Sequence, residues 1–428
     1  MLSTDHDRHN PLHVLVYSVN YAPEMTGIGR YTGELVEKIA GEGIRCTVIT
    51  SPPHYPQWQI LAPYRNRFEQ ERGPRVDVLR CPLYIARNVR GLTRLLAPIS
   101  FALTSAPVAV WTILRRRPDI VFCVEPTLFA APAALLASRL VGSRTVLHVQ
   151  DLEIDGALEV GHLKRDGLIE RIAHLFERTV LRSFDRVVTI SNAMRRRLID
   201  KGVDIDRLSI IRNWVDTGAI YPLHDTSYRR QLGIADDAFL VLYAGSVGAK
   251  QGIGLLCEAV ATIAPSSKIV LAIVGEGPRK AELVSQFGVH PHIRFYGLQP
   301  ENGLNGLLNS ADLHVIPQLQ GATDFALPSK LGGILASGRP LLVFGQPQQE
   351  IAEFVKGVAE IVEPTDSLAI SATLLRLAEE RSSGSSEARV ALADELSMAK
   401  AISRFIGLFR QLKAKNGRPR TGVFGETK

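Results

Sequence analysis

Short, almost continuously apolar segments alternate with helical patterns along nearly the whole chain. Strands of this kind are typical of parallel sheets that helices cover on both faces. We predict strands at 13–18, 45–50, 75–80, 119–124, 144–149, 185–190 and 208–211, and then at 238–245, 268–275, 293–297, 311–317, 340–345 and 359–364. The alternation predicts an α/β fold with doubly wound sheets, in which ligands bind outside the carboxyl ends of the strands.

A turn-rich segment, NWVDTGAIYPLHDTSY, divides this pattern into two halves. A chain of 428 residues is long enough for two domains, each with its own core. We predict domains at 1–212 and 229–395, joined by a linker at 213–228. A C-terminal helix is expected at 396–412, and we expect it to return to the first domain. The polar segment 413–428 is expected to be disordered.

Composition narrows the class of protein without identifying its ligand. Apolar residues make up 46% of the chain and charged residues 22%, as in globular proteins. The formal net charge of +7 implies affinity for anions, and nucleic acid, anionic lipid and phosphorylated substrates all fit it. The four cysteines form no CxxC pair, which favours a reduced cytosolic compartment over a disulfide framework. The polar N-terminus predicts no secretory signal.

The segment 95–114 carries no charged residue and is flanked by arginines, among them Arg87, Arg90 and Arg94 before it and Arg115–Arg117 after it. Its length would permit a membrane span, but two prolines and several small polar residues weaken that interpretation. An ordinary core helix is one alternative, and a helix in the membrane interface is another. We expect peripheral membrane association at most.

A glycine turn with Gly27 and Gly29 follows the first predicted strand and precedes a helical pattern. This order exposes backbone N–H groups at a helix N-terminus, which suits an anion such as a phosphate. A tight connection without a ligand is the alternative. The letters GIGRYTG lack the spacing of the dinucleotide fingerprint, so hydride chemistry is not predicted.

Two further glycine turns lie in the second half of the chain. The first contains Gly245, Ser246 and Lys250. A lysine at the start of a helix would neutralise the charge of a diphosphate leaving group. The alternative is that Lys250 is a solvated lysine on a surface loop. The second contains Gly275, for which a phosphate contact and a purely geometric role both stay open.

A fourth candidate site lies where Pro328 and Ser329 are predicted to begin a helix, with Ser329 as its N-cap. Lys330 falls in the first turn, where a cation opposes the helix dipole unless an anion compensates it. This favours phosphate binding. Gly332 and Gly333 each cost up to about 1 kcal/mol of helix stability, so close ligand approach or helix packing must explain them.

Polar side chains cluster where the predicted strand 144–149 ends, in the letters LHVQDLEIDG. Asp151 is the stronger candidate there, suited to binding a hydroxyl group or accepting a proton. His148 is either catalytic or an ordinary core histidine. Glu153 and Asp155 belong to the same cluster, but no metal-binding spacing occurs and no metal site is predicted.

Together these motifs resemble the retaining glycosyltransferases of family 4, and most of all the subgroup named for biosynthesis of the exopolysaccharide colanic acid. The resemblance runs from about residue 13 to 410 and is carried by NYAPEMTGIGRYTGELV, SPPHYPQW, VLHVQDLEIDG, TISNAMRRRL, RNWVD, YAGSVGAKQG, IVGEGP and LPSKLGGILASGRP. It implies the GT-B fold, in which two Rossmann-like domains face a central cleft. The N-terminal domain would be on the acceptor side, and the C-terminal domain would bind the nucleotide sugar.

The resemblance also implies roles for the candidate residues. Gly27 and Gly29 would lie over the donor diphosphate and the acceptor hydroxyl. The family commonly holds the diphosphate with an Arg and a Lys, at positions where this chain has Ser246 and Lys250, and backbone amides at Leu327–Lys330 would complete that cradle. Asp151 would face the acceptor. No metal or other cofactor is implied, because lysines and a helix dipole stabilise the departing nucleotide diphosphate. The leaving phosphate would assist deprotonation of the acceptor, so no dedicated protein base is implied.

Two positions depart from the family pattern. Phe325 and Gly333 stand where many members carry the two carboxylates of a Glu-x7-Glu signature, and Ser246 stands where many have an arginine. The donor sugar is therefore not inherited from the family. A non-catalytic scaffold of a polysaccharide assembly complex and a sugar-nucleotide epimerase are the alternative functions.

The expected activity is transfer of a hexosyl or deoxyhexosyl unit, with fucose as one candidate, from a nucleotide sugar to a polyprenyl-diphosphate-linked oligosaccharide. The expected location is cytoplasmic, peripheral on the inner membrane. An anionic inner-membrane surface is the expected partner and nucleic acid is not.

Overall fold

The computed structural model describes residues 11–86, 96–126, 128–152, 167–224, 227–318, 327–363, 366–380 and 386–416. The chain divides into two compact units. Unit 1 comprises Met1–Ile190, Met194–Ile211 and Ile402–Lys428, and unit 2 comprises Ser191–Ala193 and Arg212–Ala401. Unit 1 is therefore built from both ends of the chain.

The strands are β1 (His13–Tyr17), β2 (Arg45–Thr50), β3 (Glu69–Arg72), β4 (Val76–Arg80), β5 (Ile120–Glu125), β6 (Arg144–Val149), β7 (Arg186–Thr189), β8 (Leu208–Ile210), β9 (Phe239–Ala244), β10 (Ile269–Val274), β11 (Ile293–Tyr296), β12 (Leu313–Pro317), β13 (Leu341–Phe344) and β14 (Glu360–Val362). The helices are α1 (Gly27–Gly41), α2 (Leu96–Arg116), α3 (Ala131–Val141), α4 (Leu168–Arg182), α5 (Asn192–Asp200), α6 (Tyr228–Gln231), α7 (Ile253–Ala261), α8 (Lys280–Phe287), α9 (Leu304–Asn309), α10 (Lys330–Ala336), α11 (Glu350–Phe354), α12 (Ser367–Glu380), α13 (Ser386–Asp394) and α14 (Met398–Asn416).

Each unit contains one sheet. The eight-stranded sheet of unit 1 has the order β3-β4-β2-β1-β5-β6-β7-β8, and the six-stranded sheet of unit 2 has the order β11-β10-β9-β12-β13-β14. Neighbouring strands are parallel apart from the antiparallel pair β3 and β4. The predicted fold class, with two doubly wound α/β sheets, is confirmed.

Every strand predicted from the sequence is present, with ends shifted by at most two residues. The buried strands formed because their side chains are apolar on both faces, as at β1 and β5, where every residue is buried. Sequence analysis missed β3. Its residues, EQER, are polar and mostly exposed, because it lies at the edge of the sheet.

The described residues of the segment predicted as an interdomain linker, 213–224 and 227–228, belong to unit 2. The N–H of Val215 donates to the carbonyl oxygen of Leu396 at 2.8 Å, and the N–H of Met398 donates to that of Val215 at 2.9 Å. Trp214 and Ile220 are buried.

The end of α14 belongs to the core of unit 1. The rings of Phe405 and Phe409 lie 5.7 and 5.5 Å from the ring of Phe122 on β5. The helix continues to Asn416, so residues 413–416 are helical rather than part of a disordered tail. The rest of the predicted tail lies outside the described residues.

Helix α2 is long and apolar enough to span a membrane, but one of its faces is buried in unit 1. Its Ser105 hydroxyl is hydrogen-bonded to the Tyr17 hydroxyl of β1 at 2.6 Å. At its C-terminus, Arg116 donates to Asp77 on β4 at 2.5 Å. These contacts make α2 a core helix of unit 1, while its outer face stays exposed. Arg87, Arg90 and Arg94 lie outside the described residues.

Candidate functional site

Lys330, Gly245 and Tyr243 meet at the carboxyl end of β9. The Lys330 ammonium nitrogen lies 3.8 Å from the centroid of the Tyr243 ring. The Tyr243 hydroxyl donates to the carbonyl oxygen of Ser246 at 2.6 Å, which fixes the buried ring beneath the turn. A cation held on an aromatic face in this way gains about 2 kcal/mol when water is excluded.

Burial lowers the pKa of Lys330 from its ordinary value of 10.5 to about 7. Within the described parts of unit 2, which leave out residues 319–326, no carboxylate pairs with this ammonium group and no hydrogen bond satisfies it. A desolvated cation without a counter-charge is stabilised by a bound anion. The site therefore has the electrostatic character of an anion site.

The glycine at 245 leaves room for this ammonium group. A Cβ at Gly245 would lie 2.7 Å from Lys330 Nζ, and the backbone there has φ +146°, which L-residues rarely adopt. Ser246 is exposed on the same turn. Three of the predicted positions, Gly245, Ser246 and Lys330, are thus brought together.

Gly275 supports the Gly245 turn through backbone packing. A Cβ at Gly275 would lie 1.9 Å from the carbonyl oxygen of Gly245. The N–H of Gly245 donates to Val274 at 2.9 Å, and that of Val247 donates to Glu276 at 2.9 Å. The sequence left two roles open for Gly275. This close approach accounts for a glycine there on backbone geometry, and a phosphate contact at Gly275 stays a prediction.

Helix α10 begins at Lys330, as the sequence predicted for this segment. Ser329 occupies the N-cap position, but its side chain makes no capping hydrogen bond, so that part of the prediction is wrong. The Pro328 carbonyl accepts the N–H of Leu331 at 2.9 Å. Leu327 packs, half-buried, against the apolar core of unit 2.

Packing explains the two glycines inside α10. A Cβ at Gly332 would lie 3.0 Å from the Cβ of Val215, and one at Gly333 would lie 3.2 Å from Leu308 Cδ1. The helix approaches its neighbours too closely for larger residues. Close ligand approach is therefore not needed to account for Gly332 or Gly333.

Lys250 lies in a 3₁₀ turn, Ala249–Gln251, just after the Gly245 turn. Its backbone is thus near the start of α7, while its side chain lies outside the described residues. Phe325 and its neighbour Asp324 also lie outside them. The predicted contact of Lys250 with a diphosphate stays a prediction.

In unit 1, α1 begins at Gly27, so both glycines of the first motif belong to the helix rather than to a turn before it. Gly27 is exposed and has φ +60°. Gly29 is buried, and a Cβ there would lie 2.4 Å from Glu24 Oε2. Gly29 makes room for a carboxylate of the protein itself.

Glu24 is a buried residue that sequence analysis missed. Its Oε1 accepts the N–H of His54 at 2.9 Å and that of Tyr55 at 3.0 Å, and its Oε2 accepts from Asn20 Nδ2 at 2.9 Å. These bonds tie the loop after β1 to the loop after β2. A lone acid inside the turn motif NYAPEMTG was the signal that could have identified it.

His148 lies in the aromatic core of unit 1. Its ring is 5.7 Å from that of Phe122 and 5.3 Å from that of Phe405, and burial lowers its pKa to about 3. Such a neutral, enclosed imidazole does not reach a ligand in solvent. The position corrects the catalytic assignment of His148 and favours the alternative of a core histidine.

Asp151 is exposed just beyond the carboxyl end of β6, where its Oδ1 accepts the N–H of Leu152 at 2.9 Å. Glu153 and Asp155 lie outside the described residues. Over the described part of the chain, no three His, Cys, Asp or Glu side chains come together as metal ligands would. The roles of Asp151 and the absence of a cofactor stay predictions. The four cysteines are buried and free.

Two family models match the chain. Residues 26–214 match the model described as a glycosyl transferase 4-like domain, and residues 238–380 match the model described as glycosyl transferases group 1. Together they cover much of both units.

Among curated proteins, the chain is 39% identical over 363 residues to the glycosyl transferase WcaI of Escherichia coli (strain K12), which is named for colanic acid biosynthesis. That match covers 82% of this chain and 88% of WcaI. The chain is also 25% identical over 280 residues to WbjE of Pseudomonas aeruginosa, which is named as a probable glycosyltransferase. That match covers 63% of this chain and 68% of WbjE.

Solved structures share the fold at low identity. Sucrose-phosphate synthase from Thermosynechococcus elongatus superposes with a TM-score of 0.72 at 16% identity, covering 94% of this chain and 99% of that one. Anabaena Alr3699/HepE, solved in complex with UDP, gives a TM-score of 0.67 at 15% identity, covering 94% and 100%.

Proposed function

The chain belongs to the GT-B glycosyltransferases related to WcaI, and from that membership we propose that it transfers a sugar with retention from a nucleotide sugar to a lipid-linked oligosaccharide. The sugar is a hexosyl or deoxyhexosyl unit, with fucose as one candidate. The acceptor is a polyprenyl-diphosphate-linked oligosaccharide of exopolysaccharide assembly at the cytoplasmic face of the inner membrane.

The ammonium group of Lys330, which is desolvated on the Tyr243 ring while the residue as a whole is half-buried, is the observation that carries this proposal. It lies at the carboxyl end of β9, where parallel sheets bind their ligands, and Gly245 leaves its approach open. A nucleoside diphosphate would supply the anion that this cation lacks among the described residues. The binding of UDP by HepE, which shares the fold, supports a diphosphate here.

In this mechanism Lys330 stabilises the departing diphosphate. As the bond between the anomeric carbon and the phosphate oxygen breaks, negative charge grows on that oxygen, and a cation already in place stabilises it without reorganisation. The backbone amides of the Gly245 turn and of Leu327–Lys330, with the side chain of Lys250, are proposed to share that charge.

The acceptor hydroxyl attacks the same face of the sugar that the diphosphate leaves. Its proton passes to the departing phosphate oxygen, so the new glycosidic bond forms with retention and no protein base is consumed. In unit 1, exposed Asp151 and Gly27 are the proposed acceptor-side contacts. No metal or cofactor takes part in the proposal.

A panel of UDP-, GDP-, ADP- and dTDP-sugars tests the proposal by calorimetric binding and by slow donor hydrolysis. We expect one base to bind clearly better than the others, and its sugar to be hydrolysed with release of the nucleoside diphosphate. Binding of no donor would favour a non-catalytic scaffold instead. Binding with inversion at C2 or C4 of the sugar and no hydrolysis would favour an epimerase.

A further inference from the structure

The outer face of α2 carries an apolar stripe along the whole helix. Its large exposed side chains are Leu96, Ile99, Leu103, Trp111 and Leu114. With Pro107, which is also exposed, they recur every three or four residues. Leu103 is 73% exposed and Trp111 is 64% exposed. A helix on the surface of a globular protein normally turns polar side chains to water, so this stripe needs a partner.

Helices α3 and α4 extend the stripe. On α3, Leu136 and Leu140 are 61% and 69% exposed, and on α4, Ile172 and Leu175 are 57% and 67% exposed. A groove of about 480 Å³ lies between these two helices, lined by Leu136, Ile172 and Leu175 among others. We call the outer surface of α2, α3 and α4 the apolar face.

The topology places these helices side by side. They follow β4, β5 and β6, and each leads to a strand further along the sheet in the same direction. Right-handed crossovers in one direction put their helices on one side of the sheet. In agreement with this, α2 packs against α3, and α3 and α4 line one groove.

Basic side chains surround the apolar face. Arg115 and Arg117 follow the stripe on α2, Arg139 is exposed next to Leu140, and Arg171 and Arg178 are exposed beside Leu175 on α4. The last two line a cleft of about 420 Å³ together with Arg197 of α5. Leu175 belongs to both the cleft and the groove.

Among the described residues of this face, acidic side chains are few. The sequences of α2 and α3 contain no Asp or Glu. On α4, Glu177 is fully buried against Lys201, with 2.5 Å between Oε2 and Nζ, and Glu170 lies 3.7 Å from His174. Asp200 lines the basic cleft as an exposed acid.

We propose that the apolar face docks on a bilayer containing anionic phospholipids. Leucine, isoleucine and tryptophan side chains would enter the interface, while arginines reach the headgroup phosphates, and the cleft would hold one such phosphate. A second copy of this chain fits less well, because pairing the face with itself would bring arginines against arginines. The inference deepens the proposed function, since a lipid-linked acceptor is presented at a bilayer.

Vesicle flotation tests the inference with the full chain and no donor or acceptor. Vesicles of phosphatidylcholine with and without phosphatidylglycerol are compared. We expect clear preference for the anionic vesicles, lost as salt screens the arginines. The double variant Leu103→Ser, Leu140→Ser should bind on the order of tenfold more weakly, because two exposed leucines no longer enter the interface. A matched control is Val289→Ser, Leu368→Ser, since both residues are well exposed in unit 2.

Tryptophan fluorescence locates the contact. Of the three tryptophans, Trp111 is exposed on the apolar face, whereas Trp58 is half-buried and Trp214 is buried. We expect blue-shifted emission and quenching by brominated acyl chains on vesicle binding, with both signals lost in Trp111→Phe while flotation persists. Circular dichroism and melting curves of each variant check that it is folded.

Equal flotation of both double variants would overturn the inference, as would unquenched Trp111 in a vesicle-bound protein. A dimer in solution that only Leu103→Ser, Leu140→Ser dissociates would also overturn it, in favour of a second copy. Donor hydrolysis is measured in parallel on the same samples. Loss of vesicle binding with intact hydrolysis defeats only this inference, and absence of donor binding in a protein that still floats defeats only the proposed function.

Discussion

The ammonium group of Lys330 rests on the ring of Tyr243, 3.8 Å from its centroid, at the carboxyl end of β9. The ring is itself fixed, since its hydroxyl is bonded to Ser246. An aromatic face attracts a cation without neutralising it, so the charge stays available to a ligand. This relationship yields the first two predictions.

Replacing Lys330 with alanine should weaken binding of the preferred nucleoside diphosphate by about 2 kcal/mol, roughly a thirtyfold rise in Kd, because a charge-assisted contact is lost. The free energy of unfolding should stay level or rise, since a desolvated cation is removed. Calorimetry and urea unfolding measure the two quantities. Lys356→Ala, at an exposed position in unit 2, is the control. Equal losses of binding and stability would indicate a structural role instead.

Diphosphate binding should depend on pH through Lys330. Its pKa of about 7 in the ligand-free protein means that the ammonium form is lost as pH rises above 7, so Kd should rise up to about tenfold per pH unit. Between pH 7 and 10.5 the unfolded chain holds a proton on this lysine that the folded protein has released. The ligand-free protein should therefore gain stability with pH in that window. In Lys330→Ala both dependences should flatten, and their persistence would assign them to another group.

Gly275→Ala should destabilise the protein by about 2 kcal/mol or more, because the new Cβ would meet the Gly245 carbonyl and the backbone has φ +150°. Gly254→Ala in α7 is the matched control. A Cβ there has ordinary contact, 3.8 Å from Leu283 Cδ2, and should stabilise the helix by up to about 1 kcal/mol. Urea unfolding compares them. Similar unfolding midpoints for the two variants would show that the Gly245 and Gly275 turns can move apart without loss of stability.

Glu24→Ala should cost about 2–4 kcal/mol of stability, since the buried N–H of His54 and the partly buried donors of Tyr55 and Asn20 lose their acceptor. Thermal melting measures this against Glu37→Ala, an exposed acid on α1. Melting temperatures that fall equally in both variants would mean that the two loops are held together by other contacts.

His148→Leu should leave the turnover number within about twofold of the original, because the imidazole lies among Phe122 and Phe405. Between pH 6.5 and about 3 the unfolded chain binds a proton that buried His148 does not, so the free energy of unfolding should fall as pH falls through that range. The leucine variant should lose part of this slope. A large drop in turnover at unchanged stability would restore a catalytic role.

The strands could be predicted because burial on both faces requires a continuous apolar run, which is visible in sequence. The edge strand Glu69–Arg72 could not, since its polar, mostly exposed side chains form no apolar run and its place in the sheet depends on pairing with β4. Edge position is a property of the finished sheet.

The candidate site was predicted in part. The sequence identified Lys330 and Gly245 separately, but their contact depends on how α10 packs beside β9. The glycines were harder to interpret, because Gly29 accommodates Glu24 and Gly332 accommodates Val215, and the sequence pattern does not show that either pair comes into contact. His148 was ambiguous for the same reason, since Phe405 comes from the far end of the chain.

The packing of Phe405 and Phe409 against Phe122 has a consequence for folding during synthesis. These aromatic contacts join β5 to α14, and the residues that make them belong to unit 1. A ribosome synthesises β5 long before α14, and the residues of unit 2 come between them, so Phe122 has neither ring as a partner until unit 2 has been synthesised. A gene fragment that stops after β8 would therefore encode a domain lacking part of its own core.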